Sequence, residues 1–338
     1  MNPNWQTFLA GQGACFDGGR LTGFATAAAR PAATAATLVD LSGEGIIAVE
    51  GADTRRFLQG QLSTDIDALS PDTSQLSSHS NAKGRVVSVL RIMPHDDGCL
   101  LLLPRTTLAS VMKRLSMYVL RSRVKLGDAS DEYVHIGLVG DTAERLLAAA
   151  GLAVPRDMNR VTAHDDIRIV RLHGTTPRFM LIGPARSLAS IWEKLATAGA
   201  IPANEDHWAW QKILAMEPTI YPETSEHFVA QMIGLEELGA INFRKGCYIG
   251  QEIIARAHFR GAVKRHMLRA RCAAGDAIAP GIAIENAEHG QPVAEVLDAR
   301  PNADGIQDML IVIQDDQRNA PLMLAGTRQP IYIVRNDI

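Results

Sequence analysis

The order in which short strands and helices follow one another is the feature that most constrains the fold of this chain. Between residues 45 and 126, β-rich aliphatic runs alternate with segments of helical periodicity. The predicted strands cover residues 45–50, 85–93, 100–103 and 123–126, and the predicted helices cover the residues after Asp53 and residues 107–118. Asp97-Gly98 marks a hairpin turn between the two central strands. The resulting β-α-β-β-α-β order is that of a ferredoxin-like α+β domain.

A second series of the same elements follows. Its strands are predicted at residues 133–139, 167–172 and 179–182, and its helices at residues 142–150 and 188–198. A further helix is predicted at residues 207–216, and Pro218 ends it. Beyond it, short strands separated by turn-rich segments are predicted at residues 267–271, 292–296, 309–313 and 331–334. That pattern is typical of a small all-β domain.

We therefore predict an α+β protein with two ferredoxin-like units and a β-rich C-terminal domain. Its predicted parts are a flexible N-terminal extension (1–37), a first α+β domain (38–130), a second α+β domain (131–206), a helical segment (207–262) and a C-terminal β domain (263–338). The flexible extension is inferred from an Ala- and Thr-rich lead-in that Arg30-Pro31 interrupts. The helical segment is expected to pack on the first domain.

Composition narrows the class of protein. Hydrophobic residues make up 46% of the 338 residues and charged residues 21%, which is ordinary for a globular protein. The formal net charge of −3 argues against a polycation that coats nucleic acid with its whole surface. The N-terminus lacks the pattern of a signal peptide, and no apolar run is long enough to span a bilayer. We therefore expect a cytoplasmic protein with no membrane partner. We also expect a monomer.

The four cysteines are Cys15, Cys99, Cys247 and Cys272. No two of them have the spacing of a zinc finger, a Cys-x-x-Cys redox motif or a local iron–sulfur cluster motif. Scattered thiols in a chain of this length indicate a reducing compartment. We therefore predict no metal site in this chain.

Residues 242–261 form the most unusual stretch of the sequence, because they gather a cysteine, several glycines and many charged groups. Arg244 and Lys245 lie just before Cys247, and a helix is predicted to begin at about Tyr248. Nearby cations and a helix N-terminus both favour the thiolate, which is the reactive form of cysteine. The alternative is that Cys247 is a small buried hydrophobe.

The same region carries a strong local positive charge. Its charged residues between 242 and 271 are the acid Glu252 and the cations Arg244, Lys245, Arg256, Arg260, Lys264, Arg265, Arg269 and Arg271. Such a field is able to hold carboxylates, phosphates or RNA, and the alternative is an ordinary solvated surface. Aromatic partners for base stacking are sparse here, which gives RNA binding only weak support. Upstream, Trp208 and Trp210 either stack on a flat heterocycle or pack in a core.

One run in this stretch resembles the signature K-G-C-Y-x-G-Q-E of the YgfZ-type folate-binding proteins, which are relatives of the glycine-cleavage T-protein. It reads Lys245-Gly246-Cys247-Tyr248-Ile249-Gly250-Gln251-Glu252. The similarity continues in Ala255-Arg256, Phe259-Arg260-Gly261 and Lys264-Arg265, and upstream in Gly51-Ala52-Asp53, Phe57-Leu58-Gln59-Gly60-Gln61 and Ala82-Lys83-Gly84. The resemblance covers residues 38–270 directly.

The resemblance implies a ring of two α+β domains and a C-terminal β-barrel around a central channel that takes tetrahydrofolate. It also implies a role in assembling or repairing iron–sulfur clusters of client enzymes, including radical enzymes that modify tRNA, through transient contacts. Cys247 would be the reactive residue. The residues expected to bind folate are Trp208, Lys245, Tyr248, Gln251, Glu252 and Arg256.

Two departures from the family pattern bear on the chemistry. A second tryptophan of the folate site would fall near Glu44, where this chain has no aromatic residue. The T-protein's catalytic aspartate corresponds to the region Leu102-Leu103-Pro104-Arg105, which contains no acid, so ordinary aminomethyl transfer is disfavoured. Whether the chain is an enzyme stays open. The alternatives are a folate-dependent one-carbon transferase or demethylase, and a tRNA- or protein-docking module that uses the basic residues from Arg256 to Arg271.

Overall fold

The computed structural model describes residues 1–25, 36–96, 98–261 and 263–334 of the chain. The α-helices are α1 (Pro3–Gly11), α2 (Thr54–Gln59), α3 (Arg105–Ser116), α4 (Ala143–Ala149), α5 (Ala185–Thr197), α6 (Glu205–Leu214) and α7 (Gln251–Arg260). The strands are β1 (Ala14–Asp17), β2 (Arg20–Phe24), β3 (Thr37–Asp40), β4 (Glu44–Glu50), β5 (Gln75–Ser80), β6 (Val86–His95), β7 (Gly98–Pro104), β8 (Lys125–Asp128), β9 (Val134–Val139), β10 (Val161–His164), β11 (Ile167–Leu172), β12 (Arg178–Gly183), β13 (Ile201–Ala203), β14 (Arg265–Cys272), β15 (Ala283–Asn286), β16 (Pro292–Pro301), β17 (Gln307–Gln314), β18 (Leu322–Leu324) and β19 (Pro330–Ile333).

These elements form two compact units. The first unit consists of Met1–Thr54, Leu69–Gln75 and Arg91–Trp208, and the second of Arg55–Ala68, Leu76–Leu90 and Ala209–Ile338. The division passes through α2, β5, β6 and α6, so each unit is assembled from separate pieces of the chain. Among the described residues, no helix combines the length and the apolar character needed to cross a membrane.

The first unit contains the predicted ferredoxin-like strand order. Strand β7 pairs antiparallel with β4 and with the last residues of β6, from Arg91 to His95. Strand β4 also pairs antiparallel with β8. The strand order β6-β7-β4-β8 is the ferredoxin-like order, which confirms the prediction for this part of the chain. His95 pairs with Gly98 where the hairpin was predicted, whereas Asp97 itself lies outside the described residues.

The second sheet of this unit has the order β10-β11-β12-β9-β3-β13. Strand β3 pairs antiparallel with β9 and parallel with β13. The sequence prediction placed residues 38–40 at the start of the first domain, but here they belong to the second sheet. Their partners lie far along the chain, so no local hairpin signal reveals the pairing.

The N-terminal residues form α1, β1 and β2 and bury four side chains in the core of the first unit, namely Trp5, Leu9, Leu21 and Phe24. The prediction of a flexible extension over residues 1–37 is therefore wrong for residues 1–25. Helix α1 is capped by Asn2, whose side chain accepts a hydrogen bond from the backbone N–H of Trp5. Trp5 is fully buried, contacts Trp192 edge to face, and donates its Nε1–H to Asp40 Oδ1 at 2.7 Å. Residues 26–35 lie outside the described residues.

The C-terminal part of the second unit is a closed barrel, as the resemblance implied. Within the described residues its strand order is β14-β17-β16-β15-β18-β19. Its interior is filled by aliphatic side chains such as Ile284, Val296 and Ile311, none of which is exposed to solvent. The sequence patterns missed β15 and β18, which are only four and three residues long.

The second unit also contains β5, which the sequence analysis missed because the strand is rich in serine. Ser77 and Ser78 on β5 are buried and exchange hydrogen bonds with Ser63 and Thr64. Ser63 Oγ also donates to the carbonyl oxygen of Ala240 at 2.6 Å. These hydroxyl groups take the place of the apolar residues expected in a buried strand, so the periodicity is hidden.

Candidate functional site

The loop from Asn242 to Gly250 is tied at both ends to the residues that follow α2. The backbone N–H of Asn242 donates to Ser63 O at 2.9 Å, and that of Ile249 donates to Gly60 O at 3.2 Å. Asn242 also turns the chain, because its Oδ1 accepts hydrogen bonds from the backbone N–H groups two and three residues further on. The signature loop therefore has a fixed path within the second unit.

Lys245 holds this loop from the inside. Its Nζ donates to Leu62 O at 2.8 Å and to Thr64 O at 2.5 Å, and it lies 5.1 Å from the centre of the Tyr248 ring. Burial lowers the pKa of Lys245 to about 8, and the carboxylates of Asp65 and Asp67 oppose that shift. The ammonium group of Lys245 is thus directed toward the carbonyl oxygens of Leu62 and Thr64.

Tyr248 and Gln251 complete the inner side of the loop. Tyr248 is buried in the apolar core of the second unit, and this burial raises the pKa of its hydroxyl to about 12. The backbone N–H of Tyr248 donates to Gln251 Oε1 at 3.3 Å, and the N–H of Gln251 donates back to Tyr248 O at 3.2 Å. Both residues therefore fix the entry into α7.

Two glycines bring the Ala82-Lys83-Gly84 turn against the signature. Gly250 has φ +81°, and a Cβ added there would lie 2.6 Å from Asn81 O and 2.9 Å from Gly84 Cα. Gly84 has φ +69°, and its added Cβ would lie 2.8 Å from the Cβ of Ile253. These two segments, which resemble the family separately in sequence, therefore pack together at distances that only glycine permits.

Cys247 lies on the outer side of the loop. It is an exposed, unpaired thiol, so the alternative of a buried hydrophobe is wrong. Helix α7 begins at Gln251 and not at about Tyr248, which places Cys247 before the helix and outside its first turn. The helix-terminus argument for a thiolate therefore does not apply. Exposure on a fixed loop remains, and it makes the sulfur accessible to a large partner.

Glu252 and Arg256 lie one turn apart on α7 and are both exposed. Their spacing of four residues permits an ion pair, but none is formed between these two side chains. Of the other cations in the region, Arg271 is paired with Asp308 at 2.7 Å. Some cations of the signature region, such as Lys245 and Arg271, are thus bound to other groups of the protein, whereas others, such as Arg256, are exposed.

The two tryptophans of α6 have interior positions. Trp208 is 2% exposed and belongs to the core of the first unit, where a Cβ at position 137 would lie 2.6 Å from its ring. The guanidinium of Arg178 lies 5.4 Å from the centre of the same ring. Trp210 belongs to the second unit and donates Nε1–H to Asp308 Oδ2 at 3.0 Å. A glycine inside an aliphatic strand is a sequence signal for such a close approach, and Gly137 provided it.

The first unit also contains a group of buried titratable residues that the sequence analysis missed. His135 Nε2 lies 3.9 Å from Glu44 Oε2, and burial lowers the pKa of His135 to about 4. Burial raises the pKa of Glu205 to about 7 and also raises that of Asp40. A Cβ at Gly43 would lie 1.7 Å from Glu205 Oε1, so the carboxyl group needs glycine there. Among the described residues, no group of His, Cys, Asp and Glu has an arrangement that could hold a metal ion.

The chain is similar to proteins named tRNA-modifying protein YgfZ. The protein of that name from Yersinia enterocolitica is 31% identical over 282 residues, which cover 83% of this chain and 85% of that protein. The one from Colwellia psychrerythraea is 31% identical over 229 residues, and the one from Yersinia pseudotuberculosis is 34% identical over 230 residues. Each of these two alignments covers 68% of this chain and 69% of the relative. No protein-family model matches the chain.

The fold is similar to that of a solved aminomethyltransferase. The glycine cleavage system aminomethyltransferase T from Bartonella henselae superposes with a TM-score of 0.72 over 91% of this chain and 86% of that chain. The two sequences are 16% identical. The likeness therefore concerns the fold, and it confirms the predicted class of two α+β units with a C-terminal β-barrel.

Proposed function

Because this chain belongs to the YgfZ family, we propose that it is a tetrahydrofolate-binding accessory protein that assembles or repairs iron–sulfur clusters in client enzymes. The clients include radical enzymes that modify tRNA, in keeping with the names of the relatives. Cys247 is its reactive group. Contacts with clients are transient, and the clusters belong to the clients.

The observation that carries this proposal is the exposed thiol of Cys247 on a loop that is fixed from inside. Lys245 and Tyr248 hold the loop, and Gly250 sets its end. A reactive thiol that serves another protein has to be accessible, and a fixed backbone lowers the entropic cost of presenting it. An inert structural cysteine needs neither property.

The proposed folate ligands fall into two groups. We assign contact with the ligand to Glu252 and Arg256, whose side chains are exposed on α7, with Arg256 pairing a carboxylate of the glutamate tail. Trp208 is buried in the core of the first unit, and its role in folate binding stays a prediction from the resemblance. Gln251 is placed in the second group, because its Oε1 accepts a hydrogen bond from the backbone N–H of Tyr248. Lys245 and Tyr248 support the site indirectly, because their polar and apolar groups already hold the loop.

Calorimetric titration with tetrahydrofolate and with 5-formyltetrahydrofolate tests the folate part. We expect saturable binding that Arg256→Gln weakens roughly tenfold, since a hydrogen bond to a charged group is lost. Lys194→Gln, which removes an exposed cation elsewhere, is the control and should leave the affinity unchanged. Absence of binding at millimolar ligand would contradict the folate part.

Replacement of Cys247 by alanine and by serine tests the thiol part. In cells under oxidative stress, we expect that neither variant supports the activities of iron–sulfur enzymes, because neither side chain forms a thiolate. Cys15→Ser is the matched control, since Cys15 is also exposed and unpaired. Full support by the alanine variant would refute the assigned role of Cys247 and leave folate binding to be judged separately.

A one-carbon transferase is the second candidate, because the fold is that of an aminomethyltransferase. The corresponding end of β7 contains Leu102, Leu103 and Pro104 and offers no carboxylate to a folate nitrogen. We therefore expect no formation of methylene-tetrahydrofolate or formaldehyde from methylamine-type substrates. Measured turnover of such a substrate would favour the transferase.

A further inference from the structure

The C-terminal half of α7 presents an aromatic surface to solvent. Phe259 is 67% exposed, which is unusual for so large an apolar side chain. Its ring meets the ring of His258 edge to face at 4.5 Å, and His258 stacks on Phe243 at 3.9 Å with an interplanar angle of 18°. The three rings form a supported aromatic group whose outermost member is open to solvent.

Exposed cations lie close to these rings along the chain. They are Arg244, Arg256, Arg260, Lys264 and Arg265, and among the described residues none of them forms an ion pair. Arg256 lies three residues before Phe259 on α7 and therefore shares a helix face with it, and Arg260 lies one turn after Arg256. Of the nearby acids, Glu236 is bound to His258 at 2.7 Å, which leaves Glu252 as the exposed carboxylate of the helix. We call Phe259 with its two supporting rings and these five cations the α7 patch.

We propose that the α7 patch binds RNA through unpaired nucleotides. One base stacks on the exposed face of Phe259, and the phosphates on either side are held by the arginines and the lysine. This combination of an aromatic platform and a positively charged track is the general mode of binding single-stranded nucleic acid.

Charge complementarity alone would also suit an acidic protein, and the aromatic group decides between the two. A flat ring held in place by a second and a third ring offers a stacking surface to another flat ring. Carboxylates of an acidic peptide gain nothing from such a surface. Among ligands that carry both negative charge and planar rings, a single-stranded nucleic acid supplies them at regular spacing. RNA is the one that commonly offers unpaired bases, in its loops, bulges and ends.

The α7 patch adjoins the loop of Cys247 along the chain. Phe243 precedes that loop and stacks on His258 of α7, while Gln251 follows the loop and begins α7. RNA bound at the patch would therefore lie on the helix into which the Cys247 loop leads. The inference does not rest on folate binding or on the reactivity of Cys247.

Fluorescence anisotropy with a labelled single-stranded RNA of about 12 nucleotides tests the proposal on the full-length chain. We expect binding whose logarithmic affinity falls linearly with the logarithm of salt concentration. Replacing both Arg256 and Arg260 by glutamine should reduce the salt slope by about 1.4, since each phosphate contact contributes about 0.7 for a single strand. Phe259→Ala should weaken binding at least fivefold with the salt slope unchanged, because a stacked base is lost while the phosphate contacts remain.

Matched controls separate the patch from general effects. Tyr332→Ala removes an aromatic ring that is 66% exposed on the barrel, and Lys194→Gln removes an exposed cation in the first unit. Both should bind RNA as the parent does. Thermal unfolding of each variant establishes that the fold is intact.

Three outcomes would overturn the proposal. These are no RNA binding even at low salt, equal affinity of Phe259→Ala and the parent, and competition by polyglutamate as strong as that by unlabelled RNA. The last outcome would mark the patch as a docking surface for an acidic protein. We expect a Cys247→Ala variant to bind RNA normally but to fail to support iron–sulfur enzymes. That result would show that RNA binding at the α7 patch does not depend on the proposed role of Cys247.

Discussion

The barrel and helix α7 both carry many charged groups, but those of the barrel are paired around buried carboxylates and those of α7 are exposed. In the barrel, the buried carboxylate of Asp308 accepts hydrogen bonds from Trp210 Nε1 and Arg271 Nε at 3.0 and 2.7 Å. The buried Asp298 accepts one from the Tyr221 hydroxyl at 3.0 Å and pairs with Arg300 at 2.8 Å. On α7, the arginines are exposed and form no ion pair within the described part of the chain.

This difference separates charges that hold the fold from charges that are available to a partner. A buried carboxylate without its partners would be costly, so the residues around it are fixed by the requirements of stability. An exposed arginine contributes little to stability, so stability alone does not account for a group of them. The exposed cations of α7 are therefore better evidence of function than the paired cations of the barrel.

The largest loss of stability is expected on substitution of Asp308. Replacing Asp308 by alanine removes a fully buried carboxylate that accepts hydrogen bonds from Trp210 and Arg271. We expect the free energy of unfolding to fall by about 3–5 kcal/mol, because two hydrogen bonds to a charged group are lost, and urea denaturation measures the fall. Asp304→Ala is the control, because Asp304 is exposed in the turn between β16 and β17, and it should change stability by less than about 0.5 kcal/mol. Equal losses in the two variants would contradict the structural role.

The two glycines of the signature provide the next test, within the loop itself. Gly250→Ala should lower the free energy of unfolding by about 2–4 kcal/mol, since φ is positive and the added Cβ would clash with Asn81 and Gly84. Gly246→Ala meets no atom within 4 Å and should be nearly neutral. Urea denaturation gives the free energy of unfolding of the two variants, and the difference between them shows whether the loop is fixed only on its inner side. A similar loss from both variants would mean that the outer side, where Cys247 lies, is constrained as well.

The buried His135 of the first unit is expected to make the stability of the protein depend on pH. His135 has a folded pKa of about 4, so the unfolded chain takes up the proton first as the pH falls below 6.5. The stability present above pH 6.5 is therefore lost as the pH falls toward 4, by about 2–3 kcal/mol. Glu205 acts in the opposite direction, because its pKa is raised and its ionisation above pH 4.5 costs stability.

The quantity to measure is therefore the difference in the free energy of unfolding between the parent and the His135→Gln variant. The stability of the parent relative to His135→Gln should decline between pH 6.5 and pH 4, while Glu205 cancels because both proteins contain it. The exposed His289 is the control, and His289→Gln should follow the pH curve of the parent. A constant difference between the parent and His135→Gln would show that His135 is not held neutral by burial.

The fold could be predicted from the sequence wherever strands are aliphatic and pair with near neighbours in the chain. The hairpin of β6 and β7 and the strands of the barrel longer than four residues follow from local periodicity. Strand β3 could not be predicted, because both of its partners are distant in sequence. Strand β5 was hidden because buried hydroxyl groups replace apolar side chains, and that network forms only in the folded chain.

For the candidate site, the sequence indicates the stretch of chain but not the direction of its side chains. Sequence reasoning singled out the stretch around Cys247, and the structure places that thiol on the surface. The same reasoning treated Lys245 as a cation beside the thiol, although its ammonium binds the carbonyl oxygens of Leu62 and Thr64. The direction of a long side chain depends on contacts made by residues about 180 positions away, which no local pattern contains.

The smallest expected effect, and the sharpest test of the comparison, is the coupling between Glu252 and Arg256. Their spacing permits an ion pair, but they are exposed and unpaired, so a double-mutant cycle should give a coupling energy of at most about 0.3 kcal/mol. The same cycle on Asp308 and Arg271 should give about 1–3 kcal/mol, because one partner is fully buried. Urea denaturation of the single and double variants to alanine provides both values. A coupling at Glu252 and Arg256 as large as that in the barrel would make Arg256 a structural residue and remove it from the cations available to a ligand.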